Sequence, residues 1–255
     1  VKVDALASLL RPDTTLVSIM AVNNEIGSIQ PIHDIAALLE DRPTISFHVD
    51  AVQALAKVAT EVYLPERVDF ATFSSHKFHG LRGVGFVYIK EGKKITPLLT
   101  GGGQEKEMRS TTENVAGIAA TAKALRLAIE NQEAFTSKTQ QMKEVIRQEL
   151  ANYSDVTVFS GEDHFAPHIL TFGIKGVRGE IVVHAFEEFD IYISTTSACS
   201  SKAGKPAGTL IAMGVDKSMA QTAVRLSLDL ENDMSQVEQF LTKFKLIYEQ
   251  TRKVR

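Results

Sequence analysis

The chain has 255 residues, enough for one large domain or two modest ones, and its 44% hydrophobic and 23% charged residues are ordinary globular values. Net charge is −3, from 28 Lys and Arg against 31 Asp and Glu, and no basic cluster stands out, which argues against a nucleic-acid surface. One cysteine rules out an intrachain disulfide and a multi-cysteine metal site within one chain, and no apolar run reaches the roughly 18 residues of a membrane span. The opening VKVDALASLLRPDTT lacks the basic-then-apolar order of a signal peptide, so the expected compartment is the reducing cytoplasm. A lone thiol there is either a small buried hydrophobe or a reactive group.

The first half alternates short β-rich runs with helical patterns. Residues 15–22 (TLVSIMAV) form a β run that ends at Asn23 and Asn24. After Pro31, residues 32–39 have helical spacing. Residues 44–49 are a second β run, ending at Asp50. Residues 68–73 are a third, ending at Ser74-Ser75-His76-Lys77, and 83–89 are a fourth. Such alternation predicts an α/β sheet, mostly parallel or mixed, with its ligand at the carboxyl ends of the strands. Three of the four runs end in residues capable of chemistry.

Residues 114–129 and 135–153 read as two consecutive helices. Beyond them come β runs at 156–159 and 169–174, a helix over 179–189 and a short β run at 191–193. A Ser/Thr/Gly/Lys-rich stretch, 194–208, carries the cysteine. A last β run at 223–228 precedes an amphipathic helix from about 235. This half reads as a smaller α+β domain. The expected division is 1–131 and 132–255.

Lys77 directly follows a hydrophobic strand. It is either an amine nucleophile of the kind that holds pyridoxal phosphate (PLP), or a solvated loop lysine beside a hydrogen-bonded His76. Asp50 could keep a pyridine nitrogen protonated, or simply form a turn or cap a helix. Asn23 could orient a substrate carboxylate, or close an Asx turn with Gly27. Cys199 lies among small polar residues, which favours a reactive thiol over a structural one. Arg225 interrupts the apolar run 223–228 and needs an anionic partner if buried, or else faces water from an edge strand. Gly101-Gly102-Gly103 lacks the spacing of a phosphate loop. His76 and His79 have no nearby third ligand, and no metal site is expected.

Taken together and in order, NNEIG, HVDAVQ, SSHKFHG, GGGQE…MRSTTEN, SACSS and AVRLSL resemble the cysteine desulfurases, PLP enzymes of the class V aminotransferase group. The stretch from Cys199 to Gly214 is similar to the longer cysteine loop of the iron–sulfur and nitrogen-fixation branch. The resemblance implies a partial PLP-transferase large domain followed by a small α+β domain. It also assigns roles. Lys77 would hold PLP covalently and move the substrate's α proton. Asp50 would pair with the ring nitrogen and Gln53 with the phenolic oxygen. Ser74 and His76 would bind the phosphate, and Thr112 would reach the phosphate of the other subunit in a homodimer. Asn23 and Arg225 would hold the carboxylate of L-cysteine. Cys199 would take the sulfur as a persulfide, releasing L-alanine, for delivery to an acceptor protein such as an iron–sulfur scaffold or a thiolation relay.

The sequence departs from the family pattern at Thr111, where Gly is usual, and at Leu81-Arg82, where Pro and a basic residue are usual. It also lacks the family's N-terminal portion, with its first strands, a phosphate-holding turn and a ring-stacking aromatic residue. The expectation is a fragment or truncated product that binds PLP weakly by itself and has little activity. The alternatives are another class V PLP enzyme, such as a selenocysteine lyase or aminotransferase, and a non-catalytic truncated paralogue.

Overall fold

The computed structural model describes residues 1–196 and 208–253. Contacts divide the chain into two units, Val1–Ala21 with Gln30–Gln132, and Val22–Ile29 with Glu133–Arg255. A single cut at 131 keeps 22–29 in the first unit; the contacts group it with the second.

The first unit holds a four-stranded mixed sheet. Strands β1 (Leu16–Met20), β2 (Ser46–Asp50) and β3 (Phe70–Ser74) are parallel, and β4 (Gly85–Ile89) returns antiparallel beside β3. Helices α1 (Val3–Leu9), α2 (Ile32–Leu38), α3 (Thr60–Tyr63) and α4 (Val115–Glu130) complete it. Side chains alternate along each strand, so the residues sort by face. Val17, Phe47, Val49, Ala71 and Phe73 are buried, as are Ile32, Ile35 and Ala36 of α2. The opposite face carries Ser18, His48, Asp50, Thr72 and Ser74 and is only partly covered. Strands β2 and β3 run one residue further than the apolar pattern predicts, so Asp50 and Ser74 are the last strand residues, whereas β1 stops at Met20, two residues short of the predicted run, and β4 ends at Ile89 as predicted.

In the second unit, α5 (Gln132–Leu150) leads into an antiparallel sheet ordered β5 (Val156–Val158), β6 (Ile169–Ile174), β8 (Ala223–Ser227), β7 (Ser194–Thr195). Helices α6 (Gly179–Glu187), α7 (Gly208–Ala212), α8 (Lys217–Ala220) and α9 (Met234–Lys253) accompany it. Every residue of β6 is buried. The core gathers Phe172, Phe186, Phe240 and Phe244, with Phe186 and Phe240 stacked at 4.9 Å. The predicted strand at 191–193 is instead a two-residue strand just downstream, paired as Ser194 with Arg225 and Thr195 with Val224. Among the described residues no helix is long and apolar enough to cross a membrane.

The 22–29 segment is built into this second unit by a β-bridge between Ser28 and Phe165, and the Ala166 N–H donates to the Gly27 carbonyl at 2.7 Å. Gly27 has a left-handed φ of 80°, and a Cβ there would meet the Ile169 Cβ at 2.9 Å. Both the conformation and the space therefore require glycine.

Candidate active site

In the first unit, the candidate residues collect at the carboxyl ends of two neighbouring parallel strands. Asp50 ends β2, is half-buried, and accepts the Val52 N–H on Oδ1 at 3.0 Å. This local bond fixes the carboxylate's orientation, as in an Asx turn. Gln53 follows, half-buried, in the same turn. Ser74 ends β3, and Ser75 to Phe78 wind into one 3-10 turn that leaves His76 exposed and Lys77 half-buried.

That turn is held from beneath. Ser75 is fully buried, and its hydroxyl shares a 2.9 Å hydrogen bond with Thr121 of α4. Thr121 in turn donates to the Gly117 carbonyl at 2.8 Å. Phe78 is buried with its ring edge-on to Phe86. The chain leaves through His79 in the left-handed region and Gly80, whose N–H donates to the Ser75 carbonyl. A Cβ on Gly80 would sit 1.8 Å from Ser75 Oγ, so glycine is obligatory here. Ser75, Phe78 and Gly80 are therefore the structural residues of SSHKFHG, and Ser74, His76 and Lys77 are left to face outward.

Sequence reasoning missed a polar line on the Asp50 face. Ser18 Oγ lies 2.7 Å from His48 Nδ1, and His48 Nε2 lies 3.1 Å from Thr72 Oγ1, linking three strands beside Asp50. Burial lowers the His48 pKa below its usual 6.5, against the opposing pull of Asp50. A neutral imidazole between two hydroxyls suits one donor and one acceptor nitrogen. The period-2 spacing of Ser46, His48 and Asp50 is the signal that would have placed His48 on this face.

Thr112 is exposed, in an irregular segment ahead of α4. Gly101-Gly102-Gly103 is an exposed turn closed by Ser110 Oγ, which accepts the Gly102 N–H at 2.7 Å.

The second unit holds the other candidates. Asn23 is buried, and its Oδ1 accepts the N–H groups of Glu25 and Ile26 at 2.9 and 3.0 Å. The Asx turn is thus present, and its Nδ2 also donates to Thr209 Oγ1 at 3.3 Å. Arg225 lies in β8, which is flanked by β6 and β7, so the edge-strand reading is set aside. Its Nη1 donates to the Asn24 carbonyl at 2.7 Å, while Nε is buried with no hydrogen-bond partner among the described residues. A guanidinium fixed at one nitrogen and unsatisfied at another is suited to an anion. Cys199 and the rest of SACSS lie outside the described residues.

The sequence pattern of the Aminotransferase class-V family matches residues 1–240. This chain belongs to that family. It is 50% identical over 250 residues to a "NifS/IcsS protein homolog" from Lactobacillus delbrueckii subsp. bulgaricus, covering 98% of this chain and 65% of that protein. It is 36% identical to a "Cysteine desulfurase IscS" from Clostridium botulinum, covering 100% of this chain and 64% of that one. A solved NifS-like protein superposes with a TM-score of 0.87 at 36% identity, covering 99% of this chain and 65% of its own. Another, from Rickettsia africae, gives 0.86 at 29% identity, covering 98% and 67%. The chain thus spans about two thirds of the length of these relatives.

Proposed function

We propose that this chain carries PLP-dependent cysteine desulfurase chemistry, removing sulfur from L-cysteine to give L-alanine and a persulfide on Cys199. The observation that carries this reading is the placement of Asp50 and the Ser74–Lys77 turn at the ends of adjacent parallel strands, on the open polar face of the sheet. The donor set fits the cofactor's own groups. A carboxylate (Asp50) suits a protonated ring nitrogen, and an amide (Gln53) suits a phenolic oxygen. A hydroxyl (Ser74) and an imidazole (His76) suit a phosphate, and an amine (Lys77) suits an aldehyde. When bound, the cofactor supplies an electron sink for the bonds at the substrate's α and β carbons.

The residues supply the rest. The Val52 N–H fixes one oxygen of Asp50, whose carboxylate would pair with the ring nitrogen, and the Lys77 amine would take and return the proton at the substrate's α carbon. Arg225, whose Nε has no hydrogen-bond partner among the described residues, and Asn23 would hold the substrate carboxylate. The Cys199 thiolate would attack the substrate sulfur; the new S–S bond forms as the C–S bond breaks, and the C–S electron pair stays with the β carbon, which is protonated to give the methyl group of L-alanine. The outer sulfur of the persulfide would then pass to a nucleophile of an acceptor protein of the iron–sulfur scaffold or thiolation-relay kind, with the Cys199 thiolate as leaving group. A homodimer in which Thr112 meets the other subunit's phosphate group is part of this proposal, as is a cytoplasmic location.

Two variants test it. Lys77→Ala should abolish the visible absorbance of lysine-bound PLP. Cys199→Ser should keep that absorbance and lose persulfide and sulfide. Undiminished sulfide release from cysteine by Cys199→Ser would refute the desulfurase reading and favour another class V reaction.

A further inference from the structure

The motif NNEIG supplies Asn23, but its Glu25 has no part in the chemistry above. Glu25 is half-buried, and its two ends point to different neighbours. Its carbonyl accepts the Thr171 hydroxyl of β6 at 2.6 Å. Its Oε2 accepts the backbone N–H of Thr209 at 3.3 Å. Thr209 is the second residue of α7, immediately after the segment 197–207.

Three further contacts converge on the same place. Asn23 Nδ2 donates to Thr209 Oγ1. Leu210 is fully buried in a small apolar cluster with Ile26, Ala220 and Ala223. Arg225 holds the Asn24 carbonyl, and its strand neighbour is Ser194, on the other side of 197–207. The turn of residues 23–26 is itself rigidly tied, by the Asn23 Asx turn and by Ser160 Oγ donating to the Ile26 carbonyl at 2.7 Å. One short turn therefore orients the candidate carboxylate-binding groups and also anchors the chain where it re-enters α7.

We propose that Glu25 is a positioning residue, acting through Thr209 to register α7, the helix that follows residues 197–207 in the sequence, on the turn that carries Asn23. It makes no contact with substrate or cofactor in this role. It serves as a hydrogen-bond acceptor of the right length, so its charge is secondary. This rests on the desulfurase reading for its functional consequence but not for its structural one.

The experiment compares Glu25→Ala and Glu25→Gln with the wild-type chain, all checked by far-ultraviolet circular dichroism. The first readout is hydrogen exchange at the Thr209 amide by NMR, without cofactor. Loss of the hydrogen-bond acceptor should speed exchange about tenfold in Glu25→Ala. Gln retains an acceptor of the same reach and should stay within about threefold of wild type. The second readout is single-turnover persulfide formation on Cys199 with PLP and L-cysteine, which should slow in Glu25→Ala while PLP absorbance is unchanged, and recover in Glu25→Gln. Unchanged exchange in Glu25→Ala would overturn the proposal, and so would a Gln variant that falls as far as Ala. If Glu25→Ala fails to fold, Glu25→Asp, whose carboxylate is one methylene too short, takes its place with the same expectation. A wild type that makes no persulfide refutes the desulfurase reading, and the exchange comparison still decides the role of Glu25.

Discussion

Lys143 is a lysine in the wrong place by ordinary rules. It is 2% exposed on α5, and its ammonium donates to the Ala166 carbonyl at 2.9 Å and lies 5.7 Å from the Phe165 ring centroid. Burial drives its pKa down from 10.5 to about 8, with Arg147 adding to the fall and Glu144 opposing it. That difference corresponds to a penalty on the protonated form in the folded chain, relative to the unfolded one, of up to about 3 kcal/mol. The sign follows from proton counting. Below pH 8 both the folded and unfolded chains carry the proton, and the folded state bears the whole desolvation cost. Between pH 8 and 10.5 the folded chain has released the proton while the unfolded chain retains it, so stability rises with pH. Lys143→Met keeps most of the volume and removes the titration, but leaves the Ala166 carbonyl without this donor, a loss of about 1–3 kcal/mol. The two effects nearly cancel at pH 7, so the informative quantity is the difference between wild type and variant across pH. The chain has no tryptophan, so urea unfolding is followed by far-ultraviolet circular dichroism. Wild-type stability should climb relative to Lys143→Met by up to about 3 kcal/mol from pH 8 to 10.5. Every other titratable group is common to both chains and drops out of the difference. A flat difference curve would refute the reasoning.

Other expectations are simpler. Gly80→Ala places a Cβ 1.8 Å from Ser75 Oγ, and should cost about 1–3 kcal/mol in thermal unfolding while displacing the His76–Lys77 turn, seen as weaker PLP absorbance. Asp69 is 2% exposed and is met by Arg67 at 2.9 Å, Lys93 at 3.1 Å and the Phe47 N–H at 2.9 Å. Burial pushes its pKa up, but these partners together hold it below 3.8. Its contribution is therefore present above the unfolded-state value and lost as pH falls through the folded one. Asp69→Asn should cost about 3–5 kcal/mol at pH 7 and remove part of the acid-side loss of stability, measured by urea unfolding between pH 2 and 7.

Much of the architecture was legible because each element has its own period. The four β runs of the first half and the long helices α4, α5 and α9 all lie where their patterns place them, within a few residues. The ends of β2 and β3 were placed one residue early because apolarity stops before pairing does, Asp50 and Ser74 still forming ladder pairs, while at β1 the apolar run to Val22 outlasts the ladder, which ends at Met20. The grouping of 22–29 with the second unit was not legible, since it depends on pairing with residues around 165, far along the chain. Lys143 was hidden for a related reason. It sits in a polar stretch of α5, and nothing local reveals that the Ala166 carbonyl waits for it. Arg225 was half legible. The apolar run announced a burial problem, while its partner, the Asn24 carbonyl, emerged only from the fold. For the site, the order of motifs named the family, and the geometry then separated structural residues (Ser75, Phe78, Gly80) from those free to act.

The most direct test of the central claim is the intact mass of the chain after prolonged incubation with saturating PLP and L-cysteine, without reductant. Even slow chemistry should leave a fraction of molecules heavier by one sulfur atom, localised to Cys199, absent from Lys77→Ala and Cys199→Ser, and accompanied by an equal amount of alanine. Bound PLP with no sulfur on Cys199, or sulfur gained equally by Lys77→Ala, would contradict it.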